Sequence, residues 1–496
     1  MSLTPKAIYE NLRNKDLDYS SALELLITFI ENTDNIDIRI ECLQILKKIQ
    51  SKDEKVFKLL ENLLVSDSDE KIRNIAASYM KKFFLHKALE PMKWVIEHET
   101  SLRCMITAIS TLSKINNLKS RFILMEKLNT LYNQKCKYNL KNSFRARKIE
   151  NIPTQELAEI LINYYFISFL KIRFGYLKYE FDNFGYVTTL DLTNVDPQGI
   201  FIPDFLEIIS SLKHLEVLDL RFNNLMYIPE ISKKLDSIIS LDLSYNKIIN
   251  LPTSIQNLTS LKHLNLKSNR LRSIPESLSS LKLLQTINLR NNMLNKIPKS
   301  IKSLKFLENL NLHGNKINSI EFKLPNSIKE LELGWNNFLE VPTTIKSLKS
   351  LESLGMSGNK LKMIPKWICS FQLLKILDLY DNNIIALPKS MGNLYSLEVL
   401  VLRNNQLSHL PETFKFLRKI KKLNLSWNNF TQIPEWIGEL NSLEELNLWG
   451  NQVETLPKSI SLLSNLKVLD LSFNRLNQLP TFLSDFKKKS DLVIKL

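Results

Sequence analysis

The side chains able to do covalent chemistry are few in this chain and badly placed for it. Zinc hydrolysis needs two histidines one helical turn apart with a glutamate beside the first. The six histidines (His86, His98, His214, His263, His313 and His409) contain no H-x-x-x-H pair. A phosphate-cradling G-x-x-x-x-G-K-[ST] loop is missing as well, which excludes the P-loop nucleotidases. Gly355-Met-Ser357-Gly358 resembles a nucleophile elbow, but its second glycine comes one position early. The four cysteines, Cys42, Cys104, Cys136 and Cys369, show no paired spacing. Only Cys136 has basic neighbours of the kind that lower a thiol pKa. The expectation is a non-enzyme without metal, cofactor or small-molecule substrate. The residue types that remain are those that dominate protein contacts, namely tryptophan, tyrosine and arginine.

Those residues are held by a repeat. Leu215-x-x-Leu218-x-Leu220-x-x-Asn223-x-Leu225-x-x-Ile228-Pro229 returns with its asparagine at Asn246, Asn269, Asn292, Asn315, Asn336, Asn359, Asn382, Asn405, Asn428, Asn451 and Asn474. Every step is 23 residues except the 21 from Asn315 to Asn336. The pattern L-x-x-L-x-L-x-x-N-x-L at this period is the leucine-rich-repeat signature. Each copy opens with a short strand whose leucines point inward while their neighbours point out. The chain then turns inside the coil, where an asparagine amide, donor and acceptor at once, can satisfy buried backbone groups. No coil buries its apolar edge alone, so stacking makes the core. Two further strands are expected. Val187–Leu192 forms an atypical entry coil, and Leu492–Leu496 is in register with Leu469 and Leu471. The short coil is expected to keep Ile328, Leu331 and Leu333 in register and to disturb the convex side only.

The register assigns the outward strand positions to the concave face. A central column runs Asp219, Asp242, Asn265, Asn288, Asn311, Glu332, Gly355, Asp378, Val401, Asn424, Asn447 and Asp470. Beside it, a column from Arg221 to Ser472 carries Tyr380, Arg403 and Trp449, and one place further lie Phe222, Tyr245, Trp335, Trp427 and Phe473. The candidate protein-binding patch joins Ile376, Tyr380, Val399, Val401, Arg403, Trp427 and Trp449. A secondary basic strip joins Arg221, Lys267, Arg290 and His313. Trp335 and Trp427 have a second reading, as rings packed along the asparagine turn.

Upstream, residues 5 to about 135 have helical periodicity and a weaker repeat. Ile38-Arg39, Ile72-Arg73 and Leu102-Arg103 each open an apolar stripe and follow acidic residues, with the arginines 34 and 30 apart. This resembles HEAT or armadillo repeats, in which such residues tie adjacent helix pairs together. A plain helical bundle with acids at its helix starts is the competing reading. Residues 114–148 hold ten basic residues against Glu126, in a chain whose net charge is +16. Such a segment suits nucleic acid, an anionic membrane or an acidic protein, and its plain reading is a solvated helix face and linker. No nucleic-acid-binding motif accompanies it. A helix over about Thr154–Phe174 then leads to the solenoid. The division expected is a helical domain over 1–150, a connecting helix and entry over 151–186, and the repeats over 187–496. The apolar runs are too short to span a bilayer, and the start of the sequence shows no secretory pattern. With no clustered cysteines flanking the repeats, a reducing, cytoplasmic setting is expected.

The form L-P-x-x-[IL]-x-x-L after the asparagine, as in Leu251-Pro-Thr-Ser-Ile255-Gln-Asn-Leu258 and Leu387-Pro-Lys-Ser-Met391-Gly-Asn-Leu394, resembles intracellular Ras-group leucine-rich-repeat proteins. The resemblance covers roughly 187–496 and implies a protein-binding scaffold, often near small GTPases, with a Ras-like small GTPase as a candidate partner. The fold class expected is an α/β solenoid, a leucine-rich-repeat horseshoe of about 14 parallel strands, behind an all-α HEAT-like domain. Two competing functions are an effector with an activity in the helical domain, for example ubiquitin-ligase-like through Cys136, and docking on anionic lipid or nucleic acid through 114–148.

Overall fold

The computed structural model describes residues 4–133, 148–198, 208–230, 235–476, 478, 480–483 and 492–496. Cys136 and five of the ten basic residues of 114–148 lie outside them. The chain divides into two compact units, residues 1–190 with 211–215, and residues 191–210 with 216–496.

In the first unit the described helices are α1 (Pro5–Asn14), α2 (Tyr19–Asn32), α3 (Ile36–Lys48), α4 (Glu54–Ser66), α5 (Glu70–Phe83), α6 (Leu89–His98), α7 (Leu102–Ile115), α8 (Leu118–Asn133) and α9 (Thr154–Phe174). Their starts are written in the sequence. Thr4, Asp18, Asn35, Asp53 and Asp69 each accept a backbone N–H of the first turn, the usual N-cap contribution. The helices pack as two rows, α3–α5–α7 and α4–α6–α8, joined by the neighbours α2/α3, α4/α5 and α6/α7.

One set of ties recurs along the rows. Arg39 binds Asp67, and Arg73 makes a two-pronged bond to Glu99, Nε to Oε2 at 2.8 Å and Nη2 to Oε1 at 3.1 Å. Lys47 and Lys81 donate to Ser78 and Ser110, one repeat further on. Two members of the basic segment are ties of the same kind. Arg121 donates to the carbonyls of Ile152 and Glu150 at 2.7 Å, and Lys127 to that of Ile96 at 2.8 Å. In α9, buried Asn163 accepts the Val187 N–H at 2.8 Å and donates to the Glu159 carbonyl, which anchors the start of a strand.

Among the described residues fifteen strands follow one another in chain order. β1 (Lys178–Phe181) and β2 (Val187–Asp191) are joined by a turn closed by the Asp182 N–H on the Tyr186 carbonyl. The rest are β3 (Val217–Asp219), β4 (Ser240–Asp242), β5 (His263–Asn265), β6 (Thr286–Asn288), β7 (Asn309–Asn311), β8 (Glu330–Glu332), β9 (Ser353–Gly355), β10 (Ile376–Asp378), β11 (Val399–Val401), β12 (Lys422–Asn424), β13 (Glu445–Asn447), β14 (Val468–Asp470) and β15 (Val493–Lys495). From β3 onward the pairings are parallel, residue matched to residue one repeat on. The fold is the expected leucine-rich-repeat solenoid, and β15 takes its place beside β14 with Ile494 opposite Leu469.

The asparagine ladder works as its chemistry requires. Asn405 donates Nδ2 to the Leu379 carbonyl of the preceding coil at 3.0 Å and to its own Leu402 carbonyl at 3.1 Å. Its Oδ1 accepts the Ile384 N–H at 3.0 Å. The short coil keeps this ladder, since Asn336 donates to Leu312 and accepts from Ile317. Leu331 is fully buried and pairs with Leu310 and Leu354. What the two missing residues remove is convex: the 3-10 turn that follows the proline in the adjoining coils is absent between Lys299–Ser303 and Thr343–Ser347. A groove of about 620 Å³ borders that stretch, lined in part by Ile320, Leu339 and Val341.

Candidate binding face of the solenoid

The central column turns out to be structural in most coils. Asp191, Asp219, Asp242, Asn265, Asn288, Asn311, Asp378, Asn424, Asn447 and Asp470 each accept, through Oδ1, the backbone N–H two residues on, at 2.8–3.1 Å. This Asx turn steers the chain out of its strand. The next coil position adopts a left-handed conformation at Phe222, Tyr245, Trp335, Asp381, Asn404, Trp427 and Phe473, and at Gly314, Gly358 and Gly450. Three strand ends depart from the rule, with Glu332, Gly355 and Val401 in the Asx position. Two of those departures precede the predicted patch, and the third, Val401, lies within it.

Within that patch the structure brings the long side chains together. The Arg403 guanidinium lies 5.7 Å from the Tyr380 ring centre on one side and 5.1 Å from that of Trp449 on the other. Trp449 belongs to the second coil after Arg403, and the intervening residue is Ser426, fully buried. A small side chain there lets its two long neighbours close over it. Trp427 meets Trp449 edge-on at 5.2 Å, and Phe473 meets Trp449 at 6.0 Å. Phe473 is 80% exposed and extends the cluster beyond the predicted set; its place in the aromatic column was the available signal. Ile376 is 42% exposed and pairs with Val399, and Val401 stands between Asp378 and Asn424.

The turn tryptophans pack along the coils, as the second reading has it. Trp335 and Trp427 lie against Gly358 and Gly450 of the next coil, where an added Cβ would fall 2.6 Å and 3.3 Å from the indoles. Each ring still leaves 49% of its residue exposed. One face packs and the other is free for contact.

The basic strip is weaker than its residue types imply. Arg221 is held by Asp219, with Nη2 2.6 Å from Oδ2, and lies 3.9 Å from Asp242, so its charge is met within the fold. Lys267 lies over the Tyr245 ring at 5.1 Å, and Tyr245 stacks on Phe222 at 4.4 Å. Burial first, then the Arg290 charge, hold His313 below its ordinary 6.5, so it is neutral at pH 7. The trough of about 330 Å³ over β4–β8 is lined by Asp242, Asn265, Asn288 and Asn311, whose Oδ1 atoms the turns already use.

Nothing among the described residues assembles a reactive centre. Burial raises the thiol pKa of Cys42 to about 11 and of Cys104 to about 12, and it raises that of Cys369 too, so all three are poor nucleophiles. No group of three or more His, Cys, Asp or Glu there could hold a metal ion. No helix among them is long and apolar enough to cross a membrane. Ser357 of the apparent elbow follows β9 in the regular turn and is bonded to the Asp378 carboxylate.

Comparison with known proteins agrees with this geometry. A leucine-rich repeat region is matched over residues 365–478, and leucine-rich repeats over 241–294 and 259–317. Among solved structures, a leucine-rich-repeat protein of Leptospira interrogans is 28% identical, covering 62% of this chain and 95% of its own, with a TM-score of 0.45. An internalin of Listeria monocytogenes is 24% identical, covering 62% and 86%, with a TM-score of 0.54. TLR13, solved in complex with ssRNA13, is 24% identical, covering 58% and 44%, with a TM-score of 0.51. No curated protein matches the chain. The fold is therefore that of a leucine-rich-repeat solenoid, and the matched stretches are leucine-rich repeats.

Proposed function

We propose that the protein is a non-enzymatic scaffold that grips another folded protein on the open face of its sheet, through Tyr380, Val401, Arg403, Trp427, Trp449 and Phe473. The observation that carries the reading is the Tyr380–Arg403–Trp449–Trp427–Phe473 cluster, a contiguous run of partly exposed aromatic rings in which Tyr380 and Trp449 flank one guanidinium. Such residues supply most of the energy in protein interfaces. The inward leucines fill the core without them. The resemblance of the repeats to the Ras group makes a Ras-like small GTPase the first partner to test. The two helix rows and their recurring Arg–carboxylate ties support a HEAT-like reading of the first unit. The lack of paired cysteines supports a reducing, cytoplasmic setting.

The test places a photo-crosslinking residue at 380 or 473 of the full chain, with a convex-face control at 346, and identifies what is captured. Binding of that protein, once purified, is then measured by calorimetry. Trp449→Ala is expected to cost at least ~2 kcal/mol of binding and to leave melting within about ±0.5 kcal/mol of wild type. Early melting with normal affinity would instead make Trp449 a packing residue.

A further inference from the structure

We infer that Arg403 is a carboxylate receptor, and that the segment docked on this face carries an aspartate or glutamate beside an apolar side chain. The inference rests on the binding reading above and adds the chemistry of the partner.

Arg221, Arg290 and Arg403 occupy equivalent positions in their coils. Arg221 and Arg403 both follow a strand by two residues, in β3 and β11. In the first coil the residue two before is Asp219, whose carboxylate takes the guanidinium and whose Oδ1 takes the Arg221 N–H. In the second coil that position holds Val401. One substitution thus removes the acid that would neutralise the arginine and the acceptor for its backbone. What Arg403 keeps is two aromatic faces, Tyr380 and Trp449. Its Nε is shielded from solvent and has no hydrogen-bond partner. Arg39, Arg73, Arg121 and Arg221, by contrast, all donate to an oxygen within the protein. Cation–π contact satisfies the flat faces of a guanidinium but none of its in-plane N–H groups. A planar guanidinium held by its faces presents its edge, the geometry that a carboxylate matches with two parallel bonds.

Charge decides which anion. A phosphoryl group brings a charge of about −1.5 to −2 and needs more than one cation. Lysines on or just before the neighbouring strands are already committed: Lys375 to Glu352, Lys421 to Glu398 and Lys422 to Glu445. Asp378 and Asp470 stand in the same column as Val401 and repel further negative charge. A single free guanidinium in that setting balances a single carboxylate. Val399, Val401 and Ile376 supply the apolar floor beside it.

The test pans a phage-displayed random peptide library on the immobilised full chain, and in parallel on Arg403→Gln and Trp449→Ala. The expected result is peptides that both variants lose and that carry Asp or Glu next to an apolar residue. Resynthesised with Asn or Gln in place of the acid, they should bind the full chain at least tenfold more weakly and Arg403→Gln no differently. Peptides that need Trp449 but ignore both Arg403 and their own acids would overturn the inference and leave the docking face standing. Recovery of no Trp449-dependent peptide would overturn both. Tighter binding with phosphoserine in place of the acid would overturn the choice of carboxylate. If Arg403→Gln melts early, Arg403→Lys serves instead. It keeps the charge and ring contacts but loses the fork, so a weakening of acid-bearing peptides alone supports the receptor role, and unchanged binding overturns it.

Discussion

Glu332 shows how much one departure from the coil pattern changes a residue. It occupies the Asx position of β8 but is too long for that turn, and its carboxylate lies over Gly355 of the next strand, where an added Cβ would fall 1.9 Å from Oε2. Burial, then the charges of Asp378 and Glu330, push its pKa from the ordinary 4.5 up to about 7, with Arg290 opposing. A carboxyl with a raised native pKa keeps its proton longer in the folded state than in the unfolded chain. The native state therefore gains on acidification, and stability falls as pH rises from about 4.5 to about 7, then stays flat. Glu332→Gln removes the ionisation. Its melting temperature should exceed that of wild type at pH 8, by an amount on the order of 1–3 kcal/mol of stability, and the gap should close by pH 5 or so. Thermal melts of both proteins across that range check it; a gap that does not vary with pH would contradict it.

At the scale of the element, the 23-residue coil was legible because its constraints are local and repeated. The inward leucines, the asparagine and the proline recur often enough that the strand register, the short coil and β15 all follow from position alone. The outward columns were legible for the same reason: alternation in a strand sets the face. The contacts across columns were not. Arg403 meets Trp449 over Ser426, so two coils and a small residue take part, and no spacing rule contains that. The neutralised Arg221 was within reach, since Asp219 is on the same strand face two residues away. The Asx role of the central column was visible as a preference for Asp and Asn, but its cause is a backbone N–H that only coordinates locate. That role makes Val401 a test of function against fold. Val401→Asn restores the residue type used by most coils and can accept the Arg403 N–H. Stability should stay within about 0.5 kcal/mol of wild type or rise, while partner binding should fall, because the apolar floor beside Arg403 is lost. Paired melting and affinity measurements separate the two. A large loss of stability would mean that Val401 is core.

At the scale of the whole molecule, each unit repeats one kind of tie: an arginine to a carboxylate along the helix rows, an asparagine amide along the coils. Chains of this kind are quasi-one-dimensional, because each repeat touches its neighbours and little else. Damage should therefore stay local. Asn405 is buried and bonds its own coil to the preceding one, donating to Leu379 and Leu402 and accepting from Ile384. Asn405→Ala leaves those carbonyls and that N–H buried without partners, at a cost of ~1–3 kcal/mol. In a globular core the loss would spread through one cooperative unit. Here hydrogen exchange should rise in β10 to β12 and in the turns that follow them, and much less in β3 to β6, which lie several coils away. Backbone amides of Leu379, Ile384 and Leu402 are the reporters. Uniform acceleration over all the strands would show that the solenoid unfolds as a single block and that its docking face cannot loosen alone.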